Sequence, residues 1–131
     1  MKITVDTNVL VRGVVRDDES QALVVDKALK EASLIAVSLA CLCEFVWVLR
    51  RVYSFDSASI AAAVRALSAI EKVAMNRPAV DAGLAVLDAG GDFADGIMAH
   101  EGNWLGAETF VSFDKKAVSL LTKQGLTARL L

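Results

Sequence analysis

The sequence predicts an α/β fold, a three-layer α/β/α arrangement with a central parallel sheet of four to five strands. Three observations predict it. Short apolar runs rich in β-branched residues alternate with segments whose apolar side chains recur at three and four positions. Asp or Ser stands where several of the helical segments would start, and Gly stands where some would end. No internal repeat, linker or low-complexity stretch breaks the alternation, so residues 1–131 read as a single domain. Sheets built this way join parallel strands by right-handed helical crossovers and bind ligands at the carboxyl ends of the strands.

Taken in order, Ile3-Thr4-Val5 is a strand ending at Asp6, followed by a loop that runs to the charged cluster Arg16-Asp17-Asp18-Glu19. Asp17 or Asp18 caps the next helix, whose apolar face holds Ala22, Val25, Ala28 and Leu29. Leu34–Val37 reads as a buried strand, and Ser38 caps a helix to about Val52. Asp56 opens a helix with Ile60, Ala63, Val64, Leu67 and Ile70 on one face. Val73-Ala74-Met75 is a weaker strand. Pro78 suits the first turn of a helix through Leu87 that Gly90-Gly91 ends, and Asp92 caps the helix after it. Thr109–Phe113 is a strand, Lys115–Lys123 a helix closed by Gly125, and Thr127–Leu131 the last strand.

Composition excludes several classes of protein. A hydrophobic fraction of 55% with one Pro describes a folded chain, not a disordered one. The 14 Lys and Arg against 16 Asp and Glu, a net charge of -2, remove the simplest sign of a nucleic-acid binder, so any basic surface must be local. Cys41 and Cys43 lie two positions apart in an apolar stretch, where helix or strand geometry aims them in different directions. With His100 the only histidine, zinc lacks ligands, and the cysteines read as buried reduced thiols of a cytoplasmic protein. The first residues have no long apolar region or small-residue cleavage site, so no signal peptide is expected. Leu34–Leu49 is apolar except for Ser38 and Glu44, yet it falls short of the roughly 20 residues a spanning helix needs. No membrane association is expected.

Four acidic residues stand apart from ordinary solvated charges. Asp6 and Asp114 each follow a predicted strand, on the ligand-binding edge of a parallel sheet. Glu44 lies between Cys43 and Phe45 in a helix where Leu42, Val46, Val48 and Leu49 leave little polar face. Asp95 lies one turn inside the helix that Asp92 caps. Each has a bland alternative: Asp6 and Asp114 as caps, Glu44 as a surface charge paired with Arg50 or Arg51. Together they suggest more, because carboxylates about 4 Å apart repel by about 4 kcal/mol at an effective dielectric near 20. Such a group protonates or binds a cation, and oxygen ligands without His or Cys favour Mg²⁺ or Mn²⁺. A cation held this way promotes phosphodiester hydrolysis.

The chain resembles the PIN-domain family, and within it the VapC-type toxins. Ile3–Arg12, with Asp6-Thr7-Asn8 at its centre, resembles the family's first motif. Glu44-Phe45-Val46-Trp47-Val48-Leu49 resembles the second, and Asp92-Phe93-Ala94-Asp95-Gly96-Ile97 the third, with Asp95 the expected ligand and Asp92 an accessory. Thr109–Ala117 resembles the fourth, with Asp114 as the last acid and Ser112 the hydroxyl near it. The similarity covers essentially the whole chain, and all four motifs keep their order. Gly96 departs from the Ala more usual there, and Arg77 stands before Pro78 where a capping Asp is more common.

The resemblance implies a homodimeric, Mg²⁺- or Mn²⁺-dependent endoribonuclease, the toxin of a toxin-antitoxin pair, held inactive by a small antitoxin protein that covers or enters the acidic site. Asp6, Glu44, Asp95 and Asp114 would hold the metal and carry catalysis. Thr7, Asn8 and Ser112 would orient water or a phosphate oxygen. Arg12, Arg16, Arg50, Lys115 and Lys116 are candidates for the RNA backbone, since phosphate contacts supply most nonspecific affinity. Two rival readings remain. One is a domain of this fold that only binds RNA or protein, with catalysis lost. The other is an aspartate-based phosphoryl-transfer domain, disfavoured because Asn8 occupies the place where a phosphatase of that kind wants a second Asp.

Overall fold

In the computed structural model, which describes all 131 residues, the chain divides into two compact units, Met1–Asn76 and Arg77–Leu131. The class is the α/β one predicted, and every strand pairing is parallel. Its strands form two hydrogen-bonded sheets, one of three strands and one of two, where the sequence suggested one sheet of four to five.

The first unit opens with β1 (Lys2–Thr4), α1 (Thr7–Val15) and α2 (Glu19–Glu31). It continues with β2 (Leu34–Ala36), α3 (Leu39–Arg51), α4 (Ser57–Ser68) and β3 (Val73–Ala74). The sheet order is β1-β2-β3, with Ile3 opposite Ile35 and Ile35 opposite Val73. Side-chain oxygens start four of its helices. Asp6 accepts from the Val9 N–H at 3.1 Å, Asp18 from Gln21 at 3.0 Å, Ser38 from Cys41 at 3.1 Å and Asp56 from Ser59 at 2.7 Å. Each satisfies a donor that a helix start leaves orphaned. Helix α1 packs on α2 and α3, and α3 packs on α4, with Leu42, Phe45, Leu49, Ile60 and Val64 fully buried.

Helix α1 corrects the loop expected between Asp6 and Arg16. Its run of Val residues and Gly13 has weak intrinsic helix preference, which is why the segment read as a connection. Tertiary burial overrides that preference: Thr7, Leu10 and Val11 are buried. Arg16, at φ 59°, ends the helix in the left-handed conformation. Ala28 and Ile70, both assigned to apolar helix faces, are exposed.

The second unit comprises α5 (Arg77–Asp88), α6 (Phe93–Trp104), β4 (Phe110–Ser112), α7 (Lys115–Lys123) and β5 (Ala128–Leu130). Strand β4 pairs with β5, and Val86, Ala99 and Leu121 form a core on which Phe110, Leu120 and Ala128 pack. Helices α5 and α6 approach very closely. A Cβ on Gly96 would stand 2.5 Å from the Ala82 carbonyl oxygen and 2.8 Å from the Gly83 Cα. One on Gly83 would stand 2.8 Å from the Phe93 ring. The departure at Gly96 is therefore a packing requirement, where no side chain fits between the backbones. Gly90 turns the chain between these helices at φ +93°.

Candidate active site

In the first unit the acidic pair is Asp6 and Glu44. Asp6 sits just past β1 and caps α1, and Glu44 lies on α3, the helix on which α1 packs. Their charges both reach Cys41, one turn before Glu44. Burial first of all pushes the Cys41 thiol up, and the two carboxylates push it further, while a hydrogen bond with the Thr7 hydroxyl opposes them. Cys41 is thus a neutral buried thiol, and neither cysteine forms a disulfide. Thr7 is the only buried polar or charged residue of the chain, and it lies on α1 near Cys41 of α3. Asn8 is exposed beside it.

Glu44 is exposed, which corrects the expectation of a charge with little polar face. The buried residues of α3 are Cys41, Leu42, Phe45, Val46 and Leu49, a stripe one helical face wide. Glu44 lies off that stripe, together with Ala40 and Trp47, and Trp47 is 58% exposed. Apolar residues on the solvent side made the helix read as buried all round.

In the second unit the acids are Asp92, Asp95 and Asp114. Asp92 caps α6, accepting from the Ala94 N–H at 2.9 Å. Asp95 follows in the first turn, half-buried. Asp114 caps α7, accepting from Lys116 at 2.9 Å and Ala117 at 3.2 Å, while its own N–H donates to the Ser112 hydroxyl at 2.9 Å. The Asp95 carboxyl is held above the usual carboxylate range, chiefly by burial and then by the charges of Asp92 and Asp114. A carboxylate so placed is relieved by a proton or a cation.

Neither unit by itself gathers three or more His, Cys, Asp or Glu side chains into a group that could hold a metal ion. The donor chemistry nonetheless suits a hard divalent cation: carboxylates with hydroxyls close by, and no imidazole among them. Capping accounts for the local position of Asp6, Asp92 and Asp114, and each carboxylate is fixed by backbone donors. Asp95 makes no such bond and is the acid whose surroundings least favour its charge.

The basic candidates divide. Arg12 donates to Gln21 at 2.6 Å and pairs with Asp17 at 3.1 Å; Tyr53 donates to the same Asp17. Arg16 forks onto Asp26 at 2.9 and 3.0 Å and reaches Glu19 at 3.2 Å, which holds the Asp26 carboxyl below its ordinary value. Arg50 donates to the Ser57 hydroxyl at 2.8 Å. Lys115 and Lys116 are exposed and enter no ion pair, and the Lys116 ammonium extends toward Gly90, two residues before Asp92. Pairing of Arg12 and Arg16 was not legible in the sequence, because it depends on α1, which carries Arg12 and ends at Arg16, packing on α2, where Gln21 and Asp26 lie.

Compared with known families, residues 3–120 match the model of the PIN domain. That span contains all four acids singled out above. A search of curated proteins gives no significant match. No helix of the chain is long and apolar enough to cross a membrane.

Proposed function

The chain belongs to the PIN-domain family, and from that premise we propose that it is a Mg²⁺- or Mn²⁺-dependent endoribonuclease of the VapC toxin type. Nuclease-type hydrolysis is the activity this family suggests in general. The finer reading rests on the four acids inside the matched span and on their residue type. Asp6, Glu44, Asp95 and Asp114 would hold the metal, directly or through water. When bound, such a cation lowers the pKa of a coordinated water and offsets charge developing on the phosphoryl oxygens. The chain's own part is positional. Caps fix Asp6 and Asp114, and the partial burial of Asp95 disfavours its charged form, which a bound cation would offset. Lys115 and Lys116 supply cations for the RNA backbone beside Asp114. A cognate antitoxin and a homodimer complete the proposal, and both rest on the resemblance of the four motifs to the toxin group.

The observation that carries this reading is the match over residues 3–120. The experiment incubates wild type and Asp95→Asn with total and transfer RNA in Mg²⁺, in Mn²⁺ and in EDTA, and reads fragments on a gel. Cleavage by wild type only, and only with metal, is expected. Cleavage that persists in EDTA or in Asp95→Asn overturns the metal-carboxylate assignment. Metal binding without cleavage of any RNA favours a module that binds but does not cut.

A further inference from the structure

Phe113 lies at the end of β4, one residue before the capping Asp114. The chain has five phenylalanines. Phe45 and Phe93 are 0% and 1% exposed, Phe55 and Phe110 are half-buried, and Phe113 is 81% exposed. Along β4 Phe110 packs on the core of the second unit, Val111 faces out and Ser112 is half-buried; Phe113, in the bend just past the strand, continues this alternation and is exposed. The backbone around it is held on both sides. The Ser112 carbonyl accepts from the Leu131 N–H at 2.9 Å, and the Asp114 N–H donates to the Ser112 hydroxyl at 2.9 Å. The ring is therefore presented to solvent on a fixed support.

Scattered exposed aliphatic residues need no explanation. An exposed aromatic flanked by a site carboxylate on one side and followed by two unpaired lysines is a different combination. Trp104 is 77% exposed as well, but it ends α6 nine residues after Asp95, about 14 Å along the helix axis. Phe113 is separated from Asp114 by a single peptide, about 3.8 Å between Cα atoms. Aromatic faces beside cationic side chains are the surface that unpaired nucleic-acid bases and their phosphates recognise.

We propose that Phe113 is the stacking platform for one unpaired base of a single-stranded RNA substrate, with Lys115 and Lys116 holding the adjoining phosphates. This deepens the nuclease reading and rests on it for the identity of the substrate. Phe113 acts on the base, not on the scissile bond, so it selects unpaired substrate and leaves hydrolysis to the acids. A paired base, whose faces are already stacked in a duplex, is not available to it.

The test uses the full chain carrying Asp95→Asn, in EDTA, with a short single-stranded RNA containing 2-aminopurine, whose fluorescence falls on stacking. Binding with quenching is expected, and Phe113→Ala should abolish the quench and weaken binding about 10-fold, while Phe113→Tyr retains both. Phe113→Ala should leave the salt dependence of binding unchanged, whereas Lys115→Ala or Lys116→Ala should each lower its slope by about 0.7. Binding without quenching, no binding at all, or equal affinity in Phe113→Ala overturns the proposal. So does a change in oligomeric state on Phe113→Ala with RNA affinity unaltered, which would make the ring a contact between copies. The cleavage gel separates the two readings: quenching without cleavage in wild type leaves the platform standing and the nuclease refuted, and cleavage with unchanged Phe113→Ala does the reverse.

Discussion

Asp95 is the residue where electrostatics and the proposed function pull against stability. Its folded pKa is raised, so it binds a proton more readily in the folded chain than in the unfolded one. The stabilising contribution is fully present below the unfolded value of about 3.9 and is lost as pH rises through the folded value. At neutral pH without metal the ionised side chain is therefore a burden. Asp95→Asn in EDTA is expected to melt at the wild-type temperature or up to about 4 °C above it at pH 7, the difference vanishing toward pH 3; thermal scans across that range check it. A lower melting temperature at pH 7 would mean that Asp95 is held by favourable contacts instead. Glu44 provides the contrast, because it is exposed and its removal should leave folding alone. Glu44→Gln is expected to weaken Mn²⁺ binding at least about 10-fold by calorimetry, the lower end of what even a supporting group costs a metal site. Equal affinity would return Glu44 to a surface role.

At the scale of elements, the close approach of α5 and α6 makes a prediction whose sign depends on two opposed effects. Ala in place of Gly gains up to about 1 kcal/mol of helix preference. At Gly96 the added Cβ would meet backbone atoms of Ala82 and Gly83 at 2.5 and 2.8 Å, and backbone cannot rotate away as a side-chain tip can. Overpacking costs of about 1–3 kcal/mol win, so Gly96→Ala is expected to be destabilising in denaturant titrations. A stabilised variant would show that the helices separate freely. Much of this level was legible in the sequence: Ser38, Asp56 and Asp92 cap the helices they were expected to cap, and Asp114 fills the capping role that stood as its alternative to a metal-side acid. Those signals are local, one oxygen and the N–H two or three residues on. Helix α1 was not legible, because its existence depends on Leu10 and Val11 finding partners far along the chain. The exposure of Glu44 was missed for a different reason: periodicity marks an apolar stripe well only when the opposite face is polar, and α3 places Trp47 there.

For the molecule as a whole, the acids are divided between two units, Asp6 and Glu44 in the first and Asp95 and Asp114 in the second. The net charge of -2 gives no general attraction for RNA, so the proposed affinity would have to come from local groups such as Lys115 and Lys116. The order and residue type of the acids were readable along the chain, but the cooperation proposed for them is a property no single element displays, and kinetics can test it. If acids of both units serve one reaction, removing a first one already disables it, and a second removal costs little more. If they serve separate steps or sites, two losses of about 10²-fold each should multiply to about 10⁴-fold. The proposed function requires the first pattern. Asp6→Asn and Asp95→Asn are each expected to lower kcat/KM for RNA steeply, and the double variant to lie within about 10-fold of the weaker single one. Multiplying losses would separate the two acids into independent roles, and full activity of Asp6→Asn would remove the first unit from the chemistry.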